Sequence, residues 1–219
     1  MRPSDSYRFT LLSDGVTDQA LLAVLRWLLH QRSTAPFQSD WADLRRLRRP
    51  PSKLVDRVPV ALDLYPCDLL IIHRDAEREP SAKRVEEITD ATRNLSIPVV
   101  SLVPVRMLEA WFLFDEPAIR SAAGCPNGRT PLDLPLLKDA EAIPDPKGLL
   151  FEALRTASNL SGRRRNQFRP HVRRVADLMD DFSSLRALAA FRALEDSLCS
   201  ALRTLGLLRS GSDPPPTER

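Results

Sequence analysis

The run CDLLIIHRD, residues 67–75, constrains the fold more than any other stretch of the chain. Its apolar residues are continuous over 69–72 rather than alternating, which is the pattern of a strand buried on both faces inside a parallel sheet. The following segments agree with that placement. SAKRVEEITDATRNL reads as a polar helix and IPVVSLVPV as a second buried strand, which completes a βαβ unit. Upstream, YRFTLLS reads as a strand broken by Asp14 and Gly15. In the next segment, TDQALLAVLRWLLHQ, the leucines 21, 22, 25, 28 and 29 have amphipathic helical spacing. The expected class is α/β, a mostly parallel sheet flanked by helices.

The remaining segments are assigned by punctuation and periodicity. Residues 32–52, with their prolines and serines, read as a loop carrying a short helix around Trp41 and Leu44. A helix is expected over 54–65 despite Pro59, and another over 106–123, stopped by Gly124. Residues 125–147 are rich in proline and read as a surface connection. Two helices follow, one over 148–159 and a long one within 172–206 that breaks near 181–184, and the polar tail reads as disordered. This divides the chain into an α/β domain (1–123), a helical extension packed on it (124–208) and a tail (209–219). With 219 residues and 43% hydrophobic content, one core is affordable and two would be cramped.

No run approaches the ~18 apolar residues that suggest a membrane span, and the first residues lack the apolar centre of a signal peptide. A cytoplasmic protein with no membrane contact is expected. Cys67, Cys125 and Cys199 match no paired spacing for zinc or a disulfide framework and read as reduced, structural thiols.

Three apolar runs end in carboxylates: LLSDGVTD with Asp14 and Asp18, LLIIHRDAE with Asp75 and Glu77, and VPVRMLEAWF with Glu109. In open α/β sheets ligands sit outside the carboxyl ends of strands, where Asp14, Asp75 and Glu77 fall. Asp18 follows within the first helical turn, where an anion is favoured. Glu109 borders a helical apolar arc formed by Val105, Leu108 and Phe112 and should be at least half buried. Each acid taken singly is as well explained as a cap, a solvated helix start or a partner of Arg106 or Arg120. Gathered without a cation, they would repel by roughly 4 kcal/mol per close pair at an effective dielectric near 20. A shared dication removes that cost, and oxygen ligands with room for water and phosphate suit Mg²⁺ or Mn²⁺. His73 reads as a packed strand residue and Trp111 as core.

The net charge is only +3, yet the cations cluster. One cluster holds Arg45, Arg46, Arg48, Arg49 and Lys53; the other holds Arg163, Arg164, Arg165, Arg169, Arg173 and Arg174. Guanidinium forks suit phosphate oxygens, so both stretches are candidates for nucleic-acid contact as well as for an ordinary solvated face. Lys147, in PDPKGLL, is a helix-start residue and a secondary candidate for phosphate.

DGVTD, HRDAE and LEAWFLFD, in that order, resemble the motifs of Toprim-type domains, the metal-binding modules of topoisomerases, primases and the overcoming-lysogenisation-defect nucleases. The chain is most similar to small stand-alone Toprim-like proteins of bacterial defence loci. Those proteins carry an E-G-x-T-E type turn, a D-x-D type strand end and an E-x-W helix. The likeness covers roughly the first 120 residues, and PDPKGLL and LRALAAFRALEDSL follow the family's closing pattern. Here the leading acid is Asp14 rather than glutamate, and Glu77 is the longer second acid of the pair.

The resemblance implies a Rossmann-like Toprim fold and a metal-dependent nuclease working in anti-phage defence beside an AAA-type or ABC-type ATPase. It implies one or two Mg²⁺ or Mn²⁺ ions on Asp14, Asp75 and Glu77, with Asp18 or Glu109 as a further ligand or water-orienting base. A homo-oligomer is left open. A different class, a non-catalytic regulatory or docking subunit of an ATPase complex, stays beside it. A phosphotransferase would need a nucleotide-binding loop that the sequence does not contain.

Overall fold

The computed structural model describes residues 6–76 and 79–210. Four strands, β1 (Tyr7–Leu12), β2 (Phe37–Ala42), β3 (Leu69–His73) and β4 (Val99–Leu102), form one wholly parallel sheet in the order β2-β1-β3-β4. Helix α1 (Leu21–Arg32) follows β1, α2 (Leu54–Leu64) follows β2 and α3 (Ser81–Thr92) follows β3. Side chains alternate across the sheet. Phe9, Leu11, Leu69, Ile71, Val100 and Leu102 join α1 in one apolar core, whereas Leu12, Leu70 and Ile72 join α2 and α3 in the other. Both faces of β3 are therefore covered, which is why its sequence is apolar without interruption. The architecture is α/β and consistent with a Rossmann-like arrangement.

β2 corrects the expectation of a loop over 32–52. FQSDWA is an edge strand pairing only with β1, and Gln38, Ser39 and Asp40 leave it half buried, so neither apolar continuity nor clean alternation marks it. The short helix expected there is a single 3₁₀ turn, Leu44–Arg46. Helix α2 forms through Pro59: the Val55 carbonyl loses its partner, but Val55 lies 55% exposed while Leu54, Val58 and Ala61 are buried.

After β4 the expected long helix divides. A 3₁₀ turn, Leu108–Phe112, precedes α4 (Glu116–Ala122), whose Asp115 side chain caps it by accepting from the Ala118 N–H at 2.9 Å. Pro117 cannot donate to the Leu113 carbonyl, so the break follows from chemistry already in the sequence. Gly124, at φ +83°, ends α4: the Cys125 N–H reaches the Arg120 carbonyl and the Gly124 N–H the Ser121 carbonyl.

Helices α5 (Pro146–Ala157), α6 (Gly162–Gln167), α7 (Val172–Asp177) and α8 (Ala189–Thr204) complete the chain, with a 3₁₀ turn, Ser183–Ala187, before the last. Apolar residues of α5, α7 and α8 lie in the same core as α1 and the sheet. Trp111 and Phe191 meet edge to face at 5.4 Å within it. Arg209 still pairs with the fold, its N–H reaching the Arg32 carbonyl; the rest of the expected tail, from 211 on, lies outside the described residues. No helix of the described residues is long and apolar enough to cross a membrane.

Candidate functional site

The chain leaves the tip of β1 toward one face of the sheet and the tip of β3 toward the other, so a crevice opens between two adjacent central strands. This is the topological switch point at which open α/β sheets bind ligands. A cleft of about 280 Å³ occupies it, lined by Asp14, Asp18, His73, Asp75, Arg84 and Lys147 among others.

Asp18 is placed by the DGVTD turn. Its Oδ2 accepts the Gly15 N–H at 2.6 Å, within a 3₁₀ turn (Thr17–Ala20) that leads into α1, and the residue is 5% exposed. A β-carbon on Gly15 would stand 3.0 Å from Asp18 Oδ1, so glycine is what lets the backbone approach the carboxylate. Gly15→Ala is expected to push the Asp18 carboxylate out of the turn and to lower stability by about 1 kcal/mol, read as a drop in Tm against the wild type.

Strand β3 delivers His73, Arg74 and Asp75. His73 is 2% exposed, and its Nδ1 lies 3.2 Å from the Leu102 carbonyl of the neighbouring strand. A carbonyl only accepts, so Nδ1 carries a proton and Nε2 is turned to the cleft. There it lies 3.5 Å from Asp75 Oδ1 and 4.0 Å from Asp18 Oδ1. The packed strand residue of the sequence reading is thus also the link between two acids. Its placement one alternation before Asp75 was the available signal.

Glu109, on its 3₁₀ turn, lies behind Lys147 rather than in the lining of the cleft. It is 2% exposed, with Oε1 3.9 Å from Lys147 Nζ at the start of α5. Burial pushes its pKa above the usual glutamate value; the charges of Asp75 and Asp18 add to that, while its own backbone and Lys147 work against it. A carboxyl whose folded pKa is raised contributes stability that is present below its unfolded pKa and lost as pH rises through the folded value. Glu109→Gln is therefore expected to melt higher than the wild type near pH 8 without metal, with the difference closing in acid. Thermal melts between pH 4 and 8 in EDTA test this.

Asp14 is occupied differently. Its carboxylate pairs with Arg57 and Arg74, and Arg57 also donates to the Ser13 carbonyl at 2.5 Å. Arg74 and Arg84 share Glu87, each at 3.2 Å, and Arg84 Nε donates to the Asp75 carbonyl oxygen at 3.2 Å. Glu77 lies outside the described residues. Arg57, Arg74 and Arg84 were not singled out from the sequence, where no periodicity links them to the acids.

The basic clusters divide. Arg45 and Arg46 follow β2 on the same edge of the sheet, both paired with Asp43, and Arg45 stacks over Trp41 at 5.1 Å. Arg48 and Arg49 are exposed beyond them. Arg163, Arg164 and Arg165 belong to α6 and do not line the cleft; Arg165 pairs with Glu152. From the second cluster it is Arg173 that comes near, donating to Gln19 Oε1 at 2.7 Å.

The carboxylates of Asp18 and Asp75, beside a desolvated Glu109, are hard oxygen donors of the chemistry that Mg²⁺ or Mn²⁺ takes. Among the described residues no group of three or more His, Cys, Asp or Glu side chains is placed so that it could hold a metal ion, so the expected gathering of Asp14, Asp75 and Glu109 as ligands is not formed. In comparisons with known proteins, no family model, no curated protein and no solved structure matches this chain.

Proposed function

We propose that the protein is a Toprim-like, metal-dependent phosphodiester hydrolase that cleaves DNA or RNA. The observation that carries this reading is the gathering of Asp18, His73, Asp75, Lys147 and Arg84 in one crevice at the β1–β3 switch point, with Glu109 buried behind Lys147. Asp18 and Asp75, with Glu77, would hold Mg²⁺ or Mn²⁺. When bound, the ion would supply Lewis acidity toward a phosphoryl oxygen. Lys147 and Arg84 offer cationic donors to the non-bridging oxygens. Glu109, buried beside Lys147, would hold that lysine in place from behind the cleft wall. Asp14 joins the set only by leaving Arg57 and Arg74.

Outside the cleft, Arg45, Arg46, Arg48 and Arg49 would follow the phosphate backbone, giving salt-sensitive binding that tolerates many sequences. Arg163, Arg164 and Arg165 lie on α6, off the cleft, with Arg165 tied to Glu152 of α5, and would meet a substrate that extends past the cleft. An AAA-type or ABC-type ATPase partner, an anti-phage role and a cytoplasmic location belong to the same reading, through the resemblance.

The arginine pair on Asp14 favours one second reading, a non-catalytic subunit that docks on an ATPase and uses these acids structurally. Incubation of end-labelled single-stranded DNA, duplex DNA and RNA with the protein in Mg²⁺, Mn²⁺ or EDTA separates the two. Metal-dependent cleavage supports the hydrolase; uncut substrate in every metal, with and without the ATPase, supports the docking subunit.

A further inference from the structure

We propose that a second cavity, at the opposite end of the strands from the cleft, binds a phosphate monoester carrying a flat apolar ring, of which a nucleoside monophosphate is the simplest. The cavity encloses about 370 Å³ between the end of α1, the turn into β2 and the last described residues, with Arg26, His30, Arg209, Pro36 and Phe37 among its walls. That volume falls within the range of about 300–1,000 Å³ usual for small-molecule sites. Among the described residues no carboxylate lines it.

Each of the two guanidinium groups is held by neutral oxygens. Arg26 places Nε and Nη2 on one neutral acceptor, Ser39 Oγ, at 2.9 and 2.6 Å. Arg209 places Nη2 on the Ser33 carbonyl at 2.9 Å, and its backbone is pinned by the Arg32 carbonyl at 2.8 Å next to the Ser33–Leu208 bridge. Capping the carboxyl end of α1 accounts for Arg209 alone. It leaves Arg26 and His30, one helical turn apart on α1, facing the same space. Neither guanidinium meets an acid among the described residues. Two oriented guanidinium forks beside an imidazole match the oxygens of a terminal phosphate.

The same lining also holds the apolar side chains of Leu29, Ala35, Pro36 and Phe37. Phe37 packs against Tyr7 at 5.6 Å between ring centroids, which fixes its orientation. A ligand that carries both a charge and a ring can use both kinds of lining residue. The ring distinguishes it from free phosphate.

Isothermal titration of the full chain at low salt with AMP and with inorganic phosphate tests the proposal. AMP is expected to bind at least about 10-fold more tightly than phosphate, and Arg26→Ala and His30→Ala to weaken AMP each by about 10-fold. Both side chains are exposed, so both variants should melt with the wild type. Lys147→Ala, in the cleft, should bind AMP unchanged. Absence of AMP binding, loss of it in Lys147→Ala with Arg26→Ala unaffected, or equal affinity for AMP and phosphate would each overturn the proposal. None of these results bears on metal-dependent cleavage, so the two readings fail separately.

Discussion

Asp75→Ala is expected to remove nucleic-acid cleavage by more than about 100-fold, since even partners that merely orient a metal ligand cost 10–100-fold. The fold should survive. The Asp75 side chain is 28% exposed at the rim, and the strand ahead of it is held by backbone pairing to β1 and β4 and by two apolar faces. Asp75→Asn keeps the shape but not the charge and should fail nearly as completely, which separates charge from packing. The expected pattern is a variant that melts with the wild type, still binds nucleic acid through its arginines and cleaves nothing. A variant that keeps its full biological effect would move the protein to the docking class.

Glu195→Gln is expected to be the most damaging of the conservative substitutions to stability. Glu195, on α8, is 5% exposed and accepts from Arg186 at 2.8–3.1 Å and from Arg32, at the end of α1, at 2.9 Å. Arg186 in turn stacks over Trp27 of α1 at 5.1 Å. One carboxylate thus ties the last helix to the first. Burial works to raise its pKa, but the hydrogen bonds and charges of Arg186 and Arg32 outweigh that and leave it below the usual glutamate value.

Removing the charge strands two guanidinium groups, one of them 36% exposed, so the cost should sit below the 3–5 kcal/mol of a fully buried pair, on the order of 2 kcal/mol. For a chain of this length that is about 4–8 °C in Tm. Because the folded pKa is depressed, the contribution is fully present above the unfolded pKa and lost as pH falls through the folded one. The gap between wild type and Glu195→Gln should be widest at neutral pH and shrink in acid. Glu109→Gln runs the other way, stabilising at high pH. Melting curves of both variants from pH 3 to 8 test the pair, and a Glu195→Gln protein as stable as the wild type at pH 7 would refute this account of α8.

Much of the frame could be read from sequence because burial on two faces leaves an unambiguous apolar run, as in β3, and because Gly124 carries a backbone demand that few other residues meet. β2 escaped because an edge strand needs only part of its length buried. Glu109 was read as buried from an α-helical wheel. It is buried, but on a 3₁₀ turn, since Asp115 and Pro117 start a new helix downstream. The acids Asp18 and Asp75 were legible as strand-end and helix-start residues, and Lys147 as a helix-start cation.

What faces Asp14 was not legible. Arg57 lies 43 residues away on α2, on a helix doubted for its proline, and its side chain is buried by packing that no local pattern announces. His73 was legible in part: strand alternation puts it on the face of Asp75, but its tautomer depends on the Leu102 carbonyl, which only the pairing of β3 with β4 brings alongside.

The central claim is that Asp18 and Asp75 share a hard dication in the β1–β3 crevice. A crystal soaked in Mn²⁺ and measured at the manganese edge addresses it directly. An anomalous peak between the two carboxylates, absent from Asp75→Ala crystals soaked alike, is the predicted result. A cleft with no peak at saturating Mn²⁺, and Asp14 still clasped by Arg57 and Arg74, would contradict it.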